Sequence, residues 1–314
     1  MMYKVHTHIR SPNYEARYPD TTIDFLIMHY TACDLEASLK ILTDPNARHR
    51  VSAHYLVDET GEVYALVDEE FRSWHAGKSA WRDLADMNSR SVGIEIVNPG
   101  QGPNYRPFPP LQMESVASLS KEIITRWRMA PHHVLGHSDI APGRKVDPGP
   151  LFDWKWLAGH GVGVYPDIQK NQERQSREWK GQERKSEKEP LPLDKRKEKQ
   201  LDIIRIQHLL ARYGYTVPLS GILDPQTRAV IEAFQMHFWP ESILEKFRLM
   251  GCRSVKETLE SKSLYVDGGS RERQHPFSLS LEDEGILDGE TSAGLIRRLE
   301  SLIDSLDNQP CANL

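Results

Sequence analysis

At 314 residues, with 39% apolar and 27% charged side chains and a formal net charge of −5, the chain is sized for two domains, and its charge makes no electrostatic case for nucleic acid. No run of about 18 apolar residues occurs, so no transmembrane helix is expected. Three cysteines, Cys33, Cys252 and Cys311, are widely spaced and odd in number, which leaves neither a disulfide framework nor a CxxC metal site.

The first residues, MMYKVHTHIRSPNYEARYPD, carry no hydrophobic signal segment and no lipidation cysteine, so no export signal is visible in the sequence as written. From there to residue 159 the pattern is α/β. IDFLIMHY (23–30) is an apolar, β-branched run of strand length, and SAHYLVDETGEVYALVDE (52–69) reads as two strands around a turn at Thr60 and Gly61. SVGIEIVN (91–98) is a further strand. PLQMESVASLSKEIITRWRM (110–129) spaces Val116, Leu119, Ile123 and Trp127 as one face of an amphipathic helix opened by proline. HVLGH (133–137) returns as a strand. The next stretch overlaps it: VLGHSDIAPGRKVDPGP (134–150) holds three glycines and three prolines, a composition that argues against regular helix or central strand.

Residues 160–200 read as a charged linker, almost wholly charged or amide beyond residue 166, unable to bury enough apolar surface to offset its ordering entropy. Its basic skew also suits an anionic polymer or a membrane surface. Residues 201–305 change style. LDIIRIQHLLARYGY (201–215) is helical with Gly214 as a stop, and GILDPQT (221–227) and GILDGET (285–291) each set an aspartate before a helix, where it can cap free amides. Residues 240–283 between them read as a polar insertion on the surface.

The 134–150 stretch places His137 at a strand end and Asp147 ten residues on, locked among glycines and prolines. A metal hydrolase needs two or three neutral imidazoles or carboxylates on rigid backbone and one open position for water. His29, at the end of the FLIMHY strand, is the best partner for them, although a satisfied core histidine would read the same way. Glu95, flanked by isoleucines, is a carboxylate in an apolar strand; it is either paired, functional, or on an edge facing solvent. Lys145 could present its ammonium to a developing negative charge or be an ordinary surface lysine. His54, His75 and Asn98 are further candidates for lining a cleft.

The set HYT, SAHYLVDETGEVY, SWHAG, VGIEIVN and VLGHSDIAPGRKVDPG resembles the type-2 N-acetylmuramoyl-L-alanine amidases, zinc hydrolases related to phage amidase lysozymes and peptidoglycan-recognition proteins. The resemblance spans about residues 20–155 with the motifs in the expected order. IQHLLARYGY, SGILDPQTRAVIEAFQMHF and DEGILDGETSAGL are similar to the small three-helix peptidoglycan-binding domain often attached to such enzymes. The resemblance implies an α/β fold with a mixed central sheet flanked by helices, and a small all-α domain after the linker. It implies one Zn²⁺ held by His29, His137 and Asp147, with Glu95 as the catalytic glutamate and Lys145 as the lysine near the third ligand. The implied reaction is hydrolysis of the amide between the lactyl group of N-acetylmuramic acid and L-alanine. Asp139 is left as a turn residue bonding its own backbone.

The implied partners are peptidoglycan or muropeptides, and a monomer is expected. A wall-binding domain points to the cell envelope, whereas the missing export signal points to the cytoplasm and recycled fragments. A non-catalytic receptor on the same fold, a wall-binding protein with a relict front domain, and a different amide substrate are the competing readings. The intact set of candidate ligands and helpers argues against the first two.

Overall fold

A computed structural model describes residues 3–100, 104–168, 195–249, 287 and 289–307. Most of the linker, residues 250–283 of the insertion, Cys252, Cys311 and residues 285, 286 and 288 of GILDGET lie outside the described residues. The rest of the chain forms a mixed six-stranded sheet with helices packed on both faces and a helical C-terminal region.

In chain order the strands are β1 (Val5–His6), β2 (Tyr14–Ala16), β3 (Phe25–Tyr30), β4 (Tyr55–Val57), β5 (Val63–Ala65), β6 (Phe71–Ser73), β7 (Ala80–Trp81), β8 (Leu84–Ala85), β9 (Ser91–Ile96) and β10 (Val134–Gly136). The main sheet runs β1-β5-β4-β9-β3-β10, and only the β4–β5 hairpin is antiparallel. That hairpin turns where Gly61 adopts φ 87°, a left-handed conformation open to glycine without penalty. β3 and β9 lie centrally and are continuously apolar apart from the polar residues discussed below, as strands covered on both faces must be.

Seven further α-helices follow α1 (Leu35–Thr43) and α2 (Met87–Arg90) among the described residues: α3 (Pro110–Trp127), α4 (His137–Ile140), α5 (Trp154–Gly159), α6 (Lys195–Tyr213), α7 (Pro225–Phe238), α8 (Pro240–Leu249) and α9 (Gly289–Asp307), with one 3-10 turn at Pro131–His133. Asp34 caps α1 by accepting from the Ala37 amide at 2.9 Å, and Asp224 caps α7 by accepting from Thr227 at 2.7 Å. α3 lays Met113, Val116, Leu119 and Ile123 on the Leu26, Met28, Ile94 and Ile96 face of the sheet. The opposite face alternates by the two-residue period of a strand, so Phe25 and Ile27 point the other way. There they join Leu135, Trp81 and Ile140 in one apolar core with Leu210, Tyr213, Val230, Phe234, Phe238 and Leu299 of the C-terminal helices.

Two elements differ from the sequence reading. The glycine- and proline-rich stretch contains one turn of helix, α4, fitted between Gly136 and Pro142. The segment read as a surface insertion opens as a helix, α8, so four helices rather than three are described after residue 194.

Candidate metal centre and cleft

The sheet register assembles the site. His29 in β3 pairs with Glu95 in β9, and paired residues on adjacent strands point to the same face. Gly136 in β10 pairs with Met28, so the chain delivers His137 level with His29 as the first residue of α4. Asp147 reaches them from the loop, where its carbonyl accepts from the Ser138 amide at 2.9 Å. His29 Nδ1 and His137 Nδ1 lie 2.9 Å apart, and Asp147 Oδ2 is 3.1 Å from the first and 3.0 Å from the second. All three residues are buried.

The outer nitrogens of the two rings identify which nitrogen carries the proton. His137 Nε2 lies 3.0 Å from the Ala76 carbonyl and must donate to it, leaving Nδ1 as a bare lone pair. His29 Nε2 lies 2.9 Å from His75 Nδ1, and His75 Nε2 lies 3.2 Å from Ser91 Oγ. The Ser91 hydroxyl donates to the Met87 carbonyl at 2.5 Å, so Ser91 Oγ accepts from His75, His75 Nδ1 accepts from His29, and His29 Nδ1 is also unprotonated. Two lone pairs and a carboxylate oxygen thus converge with no proton between them, a donor set that fits a cation. The edge of a tetrahedron with bonds of about 2.0–2.1 Å is about 3.3 Å, close to the observed separations. Burial, and then His137, lower the His29 imidazole to about 4, keeping it neutral.

A cleft of about 330 Å³ reaches His137 and Asp147, with Thr31, Cys33, Trp74, His75, Glu95 and Lys145 also on its walls. Glu95 Oε2 is buried without a hydrogen-bond partner. Burial, and then the Asp147 charge, push the Glu95 carboxyl well above its ordinary range, while Lys145 opposes the rise. A carboxylate with an unbonded oxygen, on the wall of the cleft that His137 and Asp147 share, is placed to accept a proton from a molecule bound there.

His75 both lines this cleft and braces His29. His54, expected beside it, is instead turned into the core: Nδ1 accepts from the Gly93 amide at 2.9 Å, and Nε2 faces the Phe71 carbonyl at 3.0 Å. Asn98 is likewise a brace, bonding the Arg106 carbonyl at 2.9 Å and the Gly100 amide at 3.1 Å. Sequence reasoning missed Ser91, Gly93 and Arg144. Gly93 makes room for the His75 ring, whose Cγ would lie 2.5 Å from an added Cβ. Arg144 donates to the Ala76 carbonyl at 2.6 Å, the same oxygen that orients His137. Only the glycine in VGIEIV was visible as a signal, as the one residue without a side chain in an otherwise apolar strand.

Two imidazoles delivered at the ends of parallel strands and a carboxylate from a loop, converging beside a further carboxylate, make the arrangement that single-metal hydrolases use. Comparison with known proteins narrows it. Residues 19–150 match the family model described as N-acetylmuramoyl-L-alanine amidase, and residues 199–241 match that of a peptidoglycan binding domain. The chain is 40% identical to N-acetylmuramoyl-L-alanine amidase AmiD of Escherichia coli over 238 residues, 72% of this chain and 78% of that one. It is 32% identical over 162 residues to the 1,6-anhydro-N-acetylmuramyl-L-alanine amidase AmpD of Citrobacter freundii, covering 46% of this chain and 84% of the relative. Among solved structures, E. coli AmiD in complex with anhydro-N-acetylmuramic acid-L-Ala-D-gamma-Glu-L-Lys superposes with a TM-score of 0.57 at 37% identity, covering 72% of this chain and 84% of that one. AMPDH3 of Pseudomonas aeruginosa in complex with anhydromuramic pentapeptide gives 0.56 at 34% identity, covering 73% and 89%. The chain belongs to the N-acetylmuramoyl-L-alanine amidase family.

Proposed function

We propose that this protein hydrolyses the amide between the lactyl group of N-acetylmuramic acid and L-alanine, in peptidoglycan or its turnover fragments, with one Zn²⁺ held by His29, His137 and Asp147. The observation that carries the reading is the convergence of two unprotonated imidazole nitrogens and a carboxylate oxygen beside the unpartnered Glu95. When bound, the ion supplies Lewis acidity that polarises the scissile carbonyl and acidifies water. Glu95 takes the proton of the attacking water and returns it to the alanine nitrogen as the amide breaks. Lys145 places a positive charge on the same cleft wall, where it stabilises negative charge developing on the carbonyl oxygen. His75 and Ser91 keep His29 in its ligating tautomer, and the Ala76 carbonyl does the same for His137.

The relatives solved with anhydro-muramyl peptides support including such fragments among the substrates. The match to a peptidoglycan binding domain supports action at the cell envelope, with that helical region after the linker engaging the wall. No described helix is long and apolar enough to cross a membrane.

Digestion of sacculi and of anhydro-muropeptides, read by mass spectrometry, tests the proposal with wild-type, EDTA-treated and Glu95→Gln protein side by side. The expected products are free peptides headed by L-alanine, absent from both controls. A zinc-replete wild type that releases none from either substrate would overturn the reading in favour of a binder.

A further inference from the structure

The buried carboxylate of Asp139 has more to do than close its own turn. Its Oδ2 accepts from the Gly136 amide at 2.7 Å, as a turn aspartate should, but the same oxygen lies 2.7 Å from His237 Nδ1, and Oδ1 accepts from the Tyr215 hydroxyl at 2.6 Å. Tyr215 follows α6 and His237 lies in α7, so both partners come from the C-terminal helices. Asp139 is 1% exposed, Tyr215 and His237 each 2%. The His237 ring is stacked between Trp154 and Phe238, each with centroids 3.7 Å away, which fixes the direction in which Nδ1 points.

Asp139 and the ligand His137 share the single turn α4. One side of that turn is tied to the third ligand's loop by the Ser138 amide on the Asp147 carbonyl. The other side is tied by Ile140, packed in the apolar core, and by the hydrogen bonds of Asp139, which alone fix the turn's direction. Apolar contact already docks the C-terminal helices on the sheet, so docking alone gives no reason to bury a carboxylate there. A buried carboxylate is tolerated only while its oxygens are bonded, and its donors therefore dictate where its backbone sits.

We propose that Tyr215 and His237 are positioning residues that hold His137 in its ligating orientation through Asp139, making the C-terminal helices a working part of the metal centre. The inference rests on the metal reading above. Its test uses Tyr215→Phe and His237→Leu, which delete one donor each, and His237→Asn, whose amide nitrogen stands where Nδ1 does. Leu295→Ala, in the core of α9, a helix that supplies no hydrogen bond to Asp139, serves as the control for simple loosening. Zinc affinity is read by competition with a chromogenic chelator, and kcat and KM on a muropeptide.

Tyr215→Phe and His237→Leu should bind zinc about 10-fold more weakly, the low end of the effect of losing a partner bonded directly to a metal ligand, since both act through Asp139. Their kcat should fall with KM unchanged, and His237→Asn should recover most of both. Leu295→Ala should lower Tm and leave zinc affinity in place. Unchanged zinc affinity and kcat in the two deletion variants, or a loss in Leu295→Ala that tracks its Tm, would overturn the proposal. If a deletion variant does not fold, His237→Gln decides: it carries its donor at the Nε2 position, and zinc binding as tight as that of His237→Asn would sink the idea. Zinc uptake is measured without substrate, so a protein that takes up zinc yet cleaves no muropeptide fails the amidase reading alone.

Discussion

At the scale of single residues, the proposed reaction gives Glu95 the proton work and Lys145 the charge work. Replacing Glu95 by Gln keeps the shape and removes the proton acceptor, so kcat should fall about 10²–10⁴-fold while zinc binding persists, as equilibrium dialysis beside turnover assays would show. Lys145 lowers the Glu95 carboxyl against burial and Asp147. Removing that charge in Lys145→Met should raise the pH at which Glu95 ionises, and the acid limb of the kcat/KM profile should move to higher pH; an unmoved limb would dissociate the two groups. The convergence of His29, His137 and Asp147, and the place of Glu95 and Lys145 on the cleft beside them, were legible because each lies in a distinctive short motif. The separate fates of His54 and His75 were not. Both sit in short, irregular surroundings, and only the long-range approach of Ser91 and His29 to one ring, and of Gly93 and Phe71 to the other, tells brace from core.

At the scale of elements, β9 carries the site and its support on alternate demands. Gly93 leaves the space that the His75 ring fills, and Glu95 two residues on faces the cleft. Gly93→Ala would drive a methyl into that ring, and overpacking of this kind costs about 1–3 kcal/mol. The expected result is a lowered Tm together with weakened zinc affinity, since the ring pushed aside is the one that orients His29. α3 was fully readable in advance because its apolar residues recur at helical spacing over five turns' worth of sequence. α4 was not: its glycine and proline neighbours argue against regular structure, and a single turn needs only the Asp139 side chain on the Gly136 amide to start it. The partners that Asp139 takes from α7 and from the end of α6 lie 98 and 76 residues away, beyond any local pattern.

At the scale of the whole molecule, one apolar core runs from the sheet into the C-terminal helices. Trp81 is fully buried in it, edge-on to Tyr213 and Tyr215, with Gly214 so close that an added Cβ would meet the indole at 2.5 Å. Trp81→Ala should therefore cost about 3–5 kcal/mol and be seen as early melting of sheet and helices together in denaturant. Burial, and then Arg17, lower His54 to about 3, while burial and Arg82 lower His133 to about 4. Unfolded histidines take up protons below about pH 6.5 while these two stay neutral, so the unfolded state gains protons and stability falls as the pH drops from about 6.5 towards 4. Metal-free protein titrated by circular dichroism should lose Tm across that window, and a flat Tm would contradict the neutral burial of these rings.

The join between sheet and helices also bears on how such a chain could be reassembled from parts. A wall-binding appendage tethered by a flexible segment can be exchanged for another without consequence to the chemistry it accompanies. Here the recipient sheet already holds a carboxylate waiting for a phenol and an imidazole, so a replacement bundle lacking Tyr215 and His237 would leave Asp139 buried with only the Gly136 amide to satisfy it. Chimeras that graft foreign helices onto residues 1–159 should therefore express poorly unless those two side chains travel with them, and the two halves of this protein are bound to change hands as one.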